Sequence, residues 1–240
     1  MRRFYSSPEN FSTEKVSLSE EETGHLRDVL RLRVGDEVSV FDGLGHEFEC
    51  VIRLIGKKTS TLSIVKEVSP MSPESNLELT VAATVLPGDK YDLVIQKSVE
   101  LGAIELIPLV TLRCEVKSRD AAKRLNRWRR IAFEASKQCG RARLMTVSGP
   151  IEFANLISGL TNTNEVLLFS ERDGASFDTV TASHKITAVF GPKGGWEDHE
   201  LAAAKSHNIK IVTLGGRVLR AETAAIAISA VLQHRFGDFN

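Results

Sequence analysis

Two glycine-bearing stretches hold the residue types best suited to chemistry. The first, "VFGPKGGWEDHELAAAK" at 189–205, runs from a short apolar segment through Gly191, Gly194 and Gly195 into a helical pattern. The second, "TLGGRVLRAETAAIAISAVLQHRFGD" at 213–238, follows the apolar "IKIV", carries Gly215 and Gly216, and opens into another helix. Glycine lacks a Cβ, so it admits positive φ and lets a ligand or another backbone approach the main chain closely. A tight strand-to-helix turn with no ligand explains the first stretch alone as well as a binding loop does. Two such loops at successive strand ends argue for binding, because ligands of open α/β sheets sit beyond the carboxyl ends of the strands.

Several chemistries lack their residues. A phosphate-cradling loop needs G-x-x-x-x-G-K-[ST], and "GPKGGW" has neither the spacing nor the hydroxyl. No G-x-G-x-x-G run supports a dinucleotide fold. The six histidines form no H-x-x-x-H pair and no G-x-S-x-G elbow occurs, so metal and serine-nucleophile chemistry have no support. Cys50, Cys114 and Cys139 are odd in number and far apart, which argues against a disulfide framework and fits a reducing cytosol. With no run of eighteen apolar residues and no signal-like h-region, the chain reads as cytoplasmic, without a membrane partner.

The elements that must position the glycine loops follow from periodicity. In the first seventy residues, Ser19 and Glu22 have capping-box spacing, with Leu26, Val29 and Leu30 next at helical intervals. Strand-like runs follow at Val38 to Phe41, Phe48 to Ile55 and 59–68, a pattern of a small β-barrel over 1–70. "SPMSPES" at 69–75 breaks it and marks a domain boundary. Over 76–240, apolar runs alternate with helices: 77–85, Asp89 to Leu101, 104–110, Arg119 to Cys139, 165–170, 186–190, the helix after Gly195, and 209–214. That alternation predicts an α/β domain with a mostly parallel sheet. The final helix is apolar nearly all round from Ala224 to Leu232, so it is expected to be buried in the core or against another subunit.

The 240 residues carry 31 basic and 31 acidic groups, so net charge says nothing of a polyanionic partner. Their distribution does. Residues 113–145 hold Arg113, Lys117, Arg119, Lys123, Arg124, Arg127, Arg129, Arg130, Lys137, Arg141 and Arg143 against Glu115, Asp120 and Glu134, an excess of eight positive charges. A nearly single-signed stripe attracts phosphate backbones, though a solvated helix face has the same look.

Taken together, "FGPKGGW", "LGGRVLRAETAA", "IQKSVELGAIELIPL", "EASKQCGR" and "HLRDVLRLRVGDEVSVFDGLGHEF" resemble the RsmE family of the SPOUT superfamily, over nearly the whole chain. The resemblance implies a PUA-like RNA-binding barrel followed by a SPOUT domain whose sheet is trefoil-knotted. It implies S-adenosylmethionine as cofactor, homodimers, and methylation of N3 of a uridine in 16S ribosomal RNA, with the RNA met within the small ribosomal subunit. Carried over by position, Gly191, Pro192, Gly194 and Gly195 form one cofactor wall, and Leu214, Gly215, Val218, Leu219, Arg220 and Ala221 the other. Arg220 would hold the developing uracil oxyanion, since its fork donates and never acts as a base. Glu222 is the nearest carboxylate that could take the N3 proton, or else it orients Arg220 or caps the last helix. Arg2, Arg3, Arg27, Arg31, Arg141 and Arg143 are the expected RNA contacts. The chain departs from the family where Lys193 replaces a usual glutamate, and where Lys137 and Gln138 replace "EQ". A non-catalytic RNA-binding or ribosome-assembly protein on the same fold is the alternative.

Overall fold

A computed structural model of the chain describes residues 2–160, 165–181 and 183–239. It forms two compact units, Met1–Glu74 with Ser136–Leu144, and Ser75–Ala135 with Met145–Asn240. The first unit holds strands β1 (Arg3–Tyr5), β2 (Lys15–Leu18), β3 (Glu37–Phe41), β4 (Glu47–Ile55) and β5 (Ser60–Val68), in the order β1-β3-β4-β5-β2. The two edge strands are tied together by the Ser6 hydroxyl, which donates to the Ser17 carbonyl at 2.6 Å. Inside lie Phe4, Val16, Leu18, Leu26, Val38, Val40, Ile52 and Leu62. β3, β4 and β5 match the expected runs. β1 and β2 span three and four residues, too few for alternation to show in the sequence.

Helix α1 (Glu20–Gly24) begins as the capping pattern predicts, with the Ser19 hydroxyl accepting the Glu22 amide at 3.3 Å. The reciprocal bond is not made, because the buried Glu22 carboxylate accepts from the Lys137 ammonium at 2.6 Å. After Gly24 the helix widens into a π-turn over His25–Val29, which changes the angular step from residue to residue. Leu26 stays in the core while Val29 turns outward, 66% exposed, contrary to its helical spacing.

Assignment of Ser136–Leu144 to this unit differs from a simple boundary at 69–75. The cause is a set of contacts distant in sequence. Gly140, at φ +84°, turns the chain; its carbonyl accepts the Ser72 amide, and the Leu144 amide donates to the Gly43 carbonyl. Arg141 grips Glu74 through two nitrogens at 3.1 and 2.6 Å.

The second unit contains β6 (Glu78–Thr84), α2 (Lys90–Glu100), β7 (Glu105–Val110), α3 (Ser118–Cys139, ending in the first unit), β8 (Thr146–Val147), β9 (Ile151–Glu152), α4 (Phe153–Gly159), β10 (Glu165–Phe169), β11 (Ala175–Ser176), β12 (Lys185–Phe190), α5 (Asp198–Ser206), β13 (Lys210–Thr213) and α6 (Ala221–Phe236). Its sheet runs β11-β13-β10-β12-β6-β7-β8, with β9 beside β7, and all its pairings are parallel. Strands with both faces covered read as near-continuous apolar runs, as β6, β10 and β12 do. Leu168 and Val189 share a core with Leu156 and Ile157 of α4 and Leu201 and Ala204 of α5. Side chains alternate across a strand, so Phe169 and Phe190 point the other way. α6 packs there against α2, β6 and β12. In register, Phe169 pairs with Phe190 and Val212, which brings the carboxyl ends of β10, β12 and β13 side by side.

Candidate functional site

At those three strand ends lies a cavity of about 420 Å³. Phe169 and Phe190 stack on its floor with ring centres 5.3 Å apart and planes 11° from parallel. Gly191, Pro192, Gly194 and Gly195 line one side; Leu214, Val218, Leu219 and Ala221 line the other. Of the ten cofactor residues expected from the sequence, these eight meet around one space, whereas Gly215 and Arg220 flank it in the same loop. The end of β10 contributes Ser170 and Glu171, and α6 adds Ala224 and Ile228. Those were missed, although "LLFSER" ends a predicted strand just as the glycine loops do.

The first loop is held from several sides. Trp196 is buried and its Nε1 donates to the Phe169 carbonyl at 2.9 Å, pinning the loop to the neighbouring strand end. A Cβ on Gly191 would meet that indole nitrogen at 2.7 Å. Gly195 sits at φ +73°, where a Cβ would lie 2.8 Å from the Glu171 carboxylate. Outside the cavity, Arg113 donates to the Gly194 carbonyl at 2.6 Å and to Glu197 at 2.6 Å. Arg172 donates to the Trp196 carbonyl at 3.0 Å and to Asp198 at 2.7 Å. That last hydrogen bond holds the Asp198 carboxyl below its usual range. α5 then starts on a reciprocal capping box between Glu197 and Glu200. Lys193 is exposed and lies 3.8 Å from Glu115.

The second loop is open. Gly215 to Arg220 are all exposed, with Val218 at 82%. Arg220 is the N-cap of α6, its side chain does not cap the helix, and it has no ion pair or side-chain hydrogen bond among the described residues. Glu222 pairs with neither Arg220 nor the helix amides. Its carboxylate, 15% exposed, lies 3.4 Å from the ammonium of Lys90. A carboxylate in the first helical turn also suits the helix dipole.

The expected RNA contacts divide. Arg2, Arg31 and Arg143 are exposed. Arg27 is 39% exposed and forks onto Asp28. Arg3 and Arg141 depart from expectation. Arg3 is 10% exposed, bonded to buried Glu47 and stacked 3.9 Å over the Phe41 ring. Arg141 is 3% exposed and bound to Glu74. Both guanidiniums are committed inside the first unit, and neither presents charge to solvent. Lys137 answers the buried Glu22 carboxylate, so a positive charge at this position meets a local need. On α3, Ala121, Trp128, Ala132 and Ala135 form the buried stripe, and Arg119, Lys123, Arg127 and Arg130 run along the opposite face.

A space of this size is within the usual range of ligand pockets, roughly 300–1,000 Å³. An aromatic and aliphatic floor, main-chain groups on both loops, one carboxylate (Glu171) and two cationic side chains (Lys193 and Arg217) suit a ligand with a flat apolar part and charges of both signs. Residues 73–233 match the family described as RNA methyltransferase domain, and 18–65 match RNA methyltransferase PUA domain. A ribosomal RNA small subunit methyltransferase E from Synechocystis is 31% identical over 92% of this chain and 74% of its own length. The corresponding protein of Bacillus subtilis is 30% identical over 90% of this chain and 88% of its own. A crystal structure of a ribosomal RNA small subunit methyltransferase E from Neisseria gonorrhoeae, bound to S-adenosyl methionine, superposes with TM-score 0.90 at 35% identity, covering both chains fully. A putative methyltransferase from Legionella pneumophila, in complex with the same cofactor, gives TM-score 0.86 at 30% identity over 98% of each chain. With loops, cavity and sequence in agreement along its length, the chain belongs to the ribosomal RNA small subunit methyltransferase E family of RNA methyltransferases.

Proposed function

We propose that this cytoplasmic enzyme holds S-adenosylmethionine between its two glycine loops and methylates N3 of a uridine in 16S ribosomal RNA within the small ribosomal subunit. The observation that carries the reading is the convergence of both loops and the end of β10 on one cavity. The cofactor supplies a methyl group already activated on a sulfonium, so positioning supplies much of the acceleration. The uracil N3–H proton must leave as the new N–CH₃ bond forms. Arg220, exposed and unpaired among the described residues, is free to donate to the uracil oxygen on which negative charge builds. Glu222, steadied by Lys90, is the carboxylate at hand for the proton.

The first unit would serve as the PUA-like RNA-binding barrel and the second as the SPOUT methyltransferase domain. Lys117, Arg119, Arg124 and Arg130 of the basic stretch, with Arg2, Arg27, Arg31 and Arg143, are the candidate phosphate contacts. The strand order, in which β10 lies between β12 and β13, supports a trefoil-knotted path through the cofactor loops. A homodimer is supported by α6: Ala225, Ile228, Ser229 and Leu232 are buried within the chain, but Ala227 and Val231 of the same apolar helix are exposed.

The test incubates the protein with radiolabelled S-adenosylmethionine and small subunits from cells lacking this activity, then digests the RNA to nucleosides. Label in 3-methyluridine is expected. Label in another base or in ribose would refute the N3 assignment, and no label would refute methyl transfer to this substrate. Light scattering should give twice the chain mass.

A further inference from the structure

Glu171 is the only carboxylate among the described residues that line the cavity; the other charged lining groups, Lys193 and Arg217, are both cationic. It stands just beyond β10, half exposed, and its nearest ionic neighbour is the Arg172 guanidinium at 3.9 Å. That guanidinium is occupied elsewhere, on Asp173, Asp198 and the Trp196 carbonyl. The carboxylate lies across Gly195, whose missing side chain leaves the room: a Cβ there would come within 2.8 Å of Glu171 Oε1. The bare loop therefore has a second purpose, to let one negative charge rest against the cavity wall.

Methyl transfer changes the charge of the bound small molecule. The donor carries a sulfonium, and the demethylated product carries a neutral thioether with the same adenosine and amino-acid parts. A wall charged only by Lys193 and Arg217 would favour the product. We infer that Glu171 is a charge-reading residue of the cofactor site, favouring the cationic methyl donor over its neutral product. It thereby limits product inhibition. The inference rests on the cofactor reading above.

Titration calorimetry with donor and product separately, on the wild-type protein, Glu171→Gln and Glu171→Asp, tests it. Glutamine keeps the shape and hydrogen-bonding ability but removes the charge. For a partly exposed charge near a sulfonium, loss on the order of tenfold is expected in donor affinity, with product affinity changed by less than about twofold. Glu171→Asp should keep most of the donor preference, and the wild-type preference should shrink as salt is raised. Equal losses for both ligands in Glu171→Gln, or no loss for either, would overturn the inference, since a hydroxyl-binding or structural role makes no distinction by charge. A wild-type protein that binds neither ligand would instead refute the cofactor reading itself, and this inference with it.

Discussion

The two glycine loops resemble each other in sequence and differ in how they are held. Loop 191–196 is over-determined: an indole nitrogen pins it to β10, two arginines hold its carbonyls, and side chains crowd the positions where Gly191 and Gly195 lack them. Loop 214–220 has almost none of this. A Cβ on Gly215 or Gly216 would meet nothing within 4 Å, and Arg217, Val218, Leu219 and Arg220 all face solvent. The first loop is a finished wall; the second presents apolar and cationic side chains whose partners lie outside the chain. Preorganised donors cost no rearrangement at the moment of reaction, whereas an open loop can complete itself on cofactor, RNA or a second subunit.

The largest expected effect tests the open loop. If Arg220 holds charge that appears only as uracil becomes anionic, Arg220→Ala should lose roughly a hundred- to a thousandfold in single-turnover rate while cofactor affinity stays near wild type. Lysine should rescue only part, because a point charge does not reproduce the planar two-donor fork. Near wild-type rates at saturating cofactor and subunit would exclude the role. A defect that saturating substrate repairs would move Arg220 to binding.

Next come the residues that make the first loop rigid. Gly195→Val should weaken cofactor binding at least tenfold, because the position combines a left-handed backbone, which alone costs roughly 1–2 kcal/mol, with the Glu171 contact. Unchanged affinity would show that the wall tolerates displacement. Trp196→Phe keeps most of the packing but leaves the Phe169 carbonyl without its indole donor, a loss of about 1–3 kcal/mol. That should lower Tm by several degrees and weaken the cofactor in parallel. A lower Tm with unaltered affinity would separate the pin from the site.

Much of this was legible in the sequence, and the failures have physical causes. Apolar runs long enough to show a period located β3 to β7, β10, β12 and β13, and the glycine spacing located most of the cavity. The family resemblance, not spacing, assigned the methyl donor and the individual residues of the walls. Three kinds of fact were out of reach. Short strands outside any apolar run, such as β1, β2 and β8, leave no signal, whereas the four residues of β13 lie within the apolar run at 209–214. Long-range pairing decides which charges are exposed: Arg3 and Arg141 look like their neighbours in sequence, yet Glu47 and Glu74 hold them inside. Pinning of the first loop depends on Arg113 and Arg172, 81 and 24 residues from the carbonyls they hold, and no local pattern encodes that.

The smallest expected effect is the sharpest control on the comparison. Gly215 does not adopt positive φ and has open space where its Cβ would be, so Gly215→Ala should change stability by less than about 0.5 kcal/mol. Gly216, at φ +102°, also has open space, but its backbone is one that L-residues rarely adopt. Gly216→Ala should therefore cost roughly 1 kcal/mol through strain alone, with no clash. Thermal melts of the two variants without cofactor isolate these backbone effects, and calorimetry with S-adenosylmethionine then reads what the cofactor adds. If the second loop reads the cofactor through main-chain groups with room to spare, Gly215→Ala should bind within about twofold of wild type, well inside the ordinary scatter for a surface change. A tenfold loss of affinity at unchanged Tm would mean that the cofactor itself fills the space beside Gly215. The two loops would then be equally close-fitting, one packed by the protein and the other by its ligand.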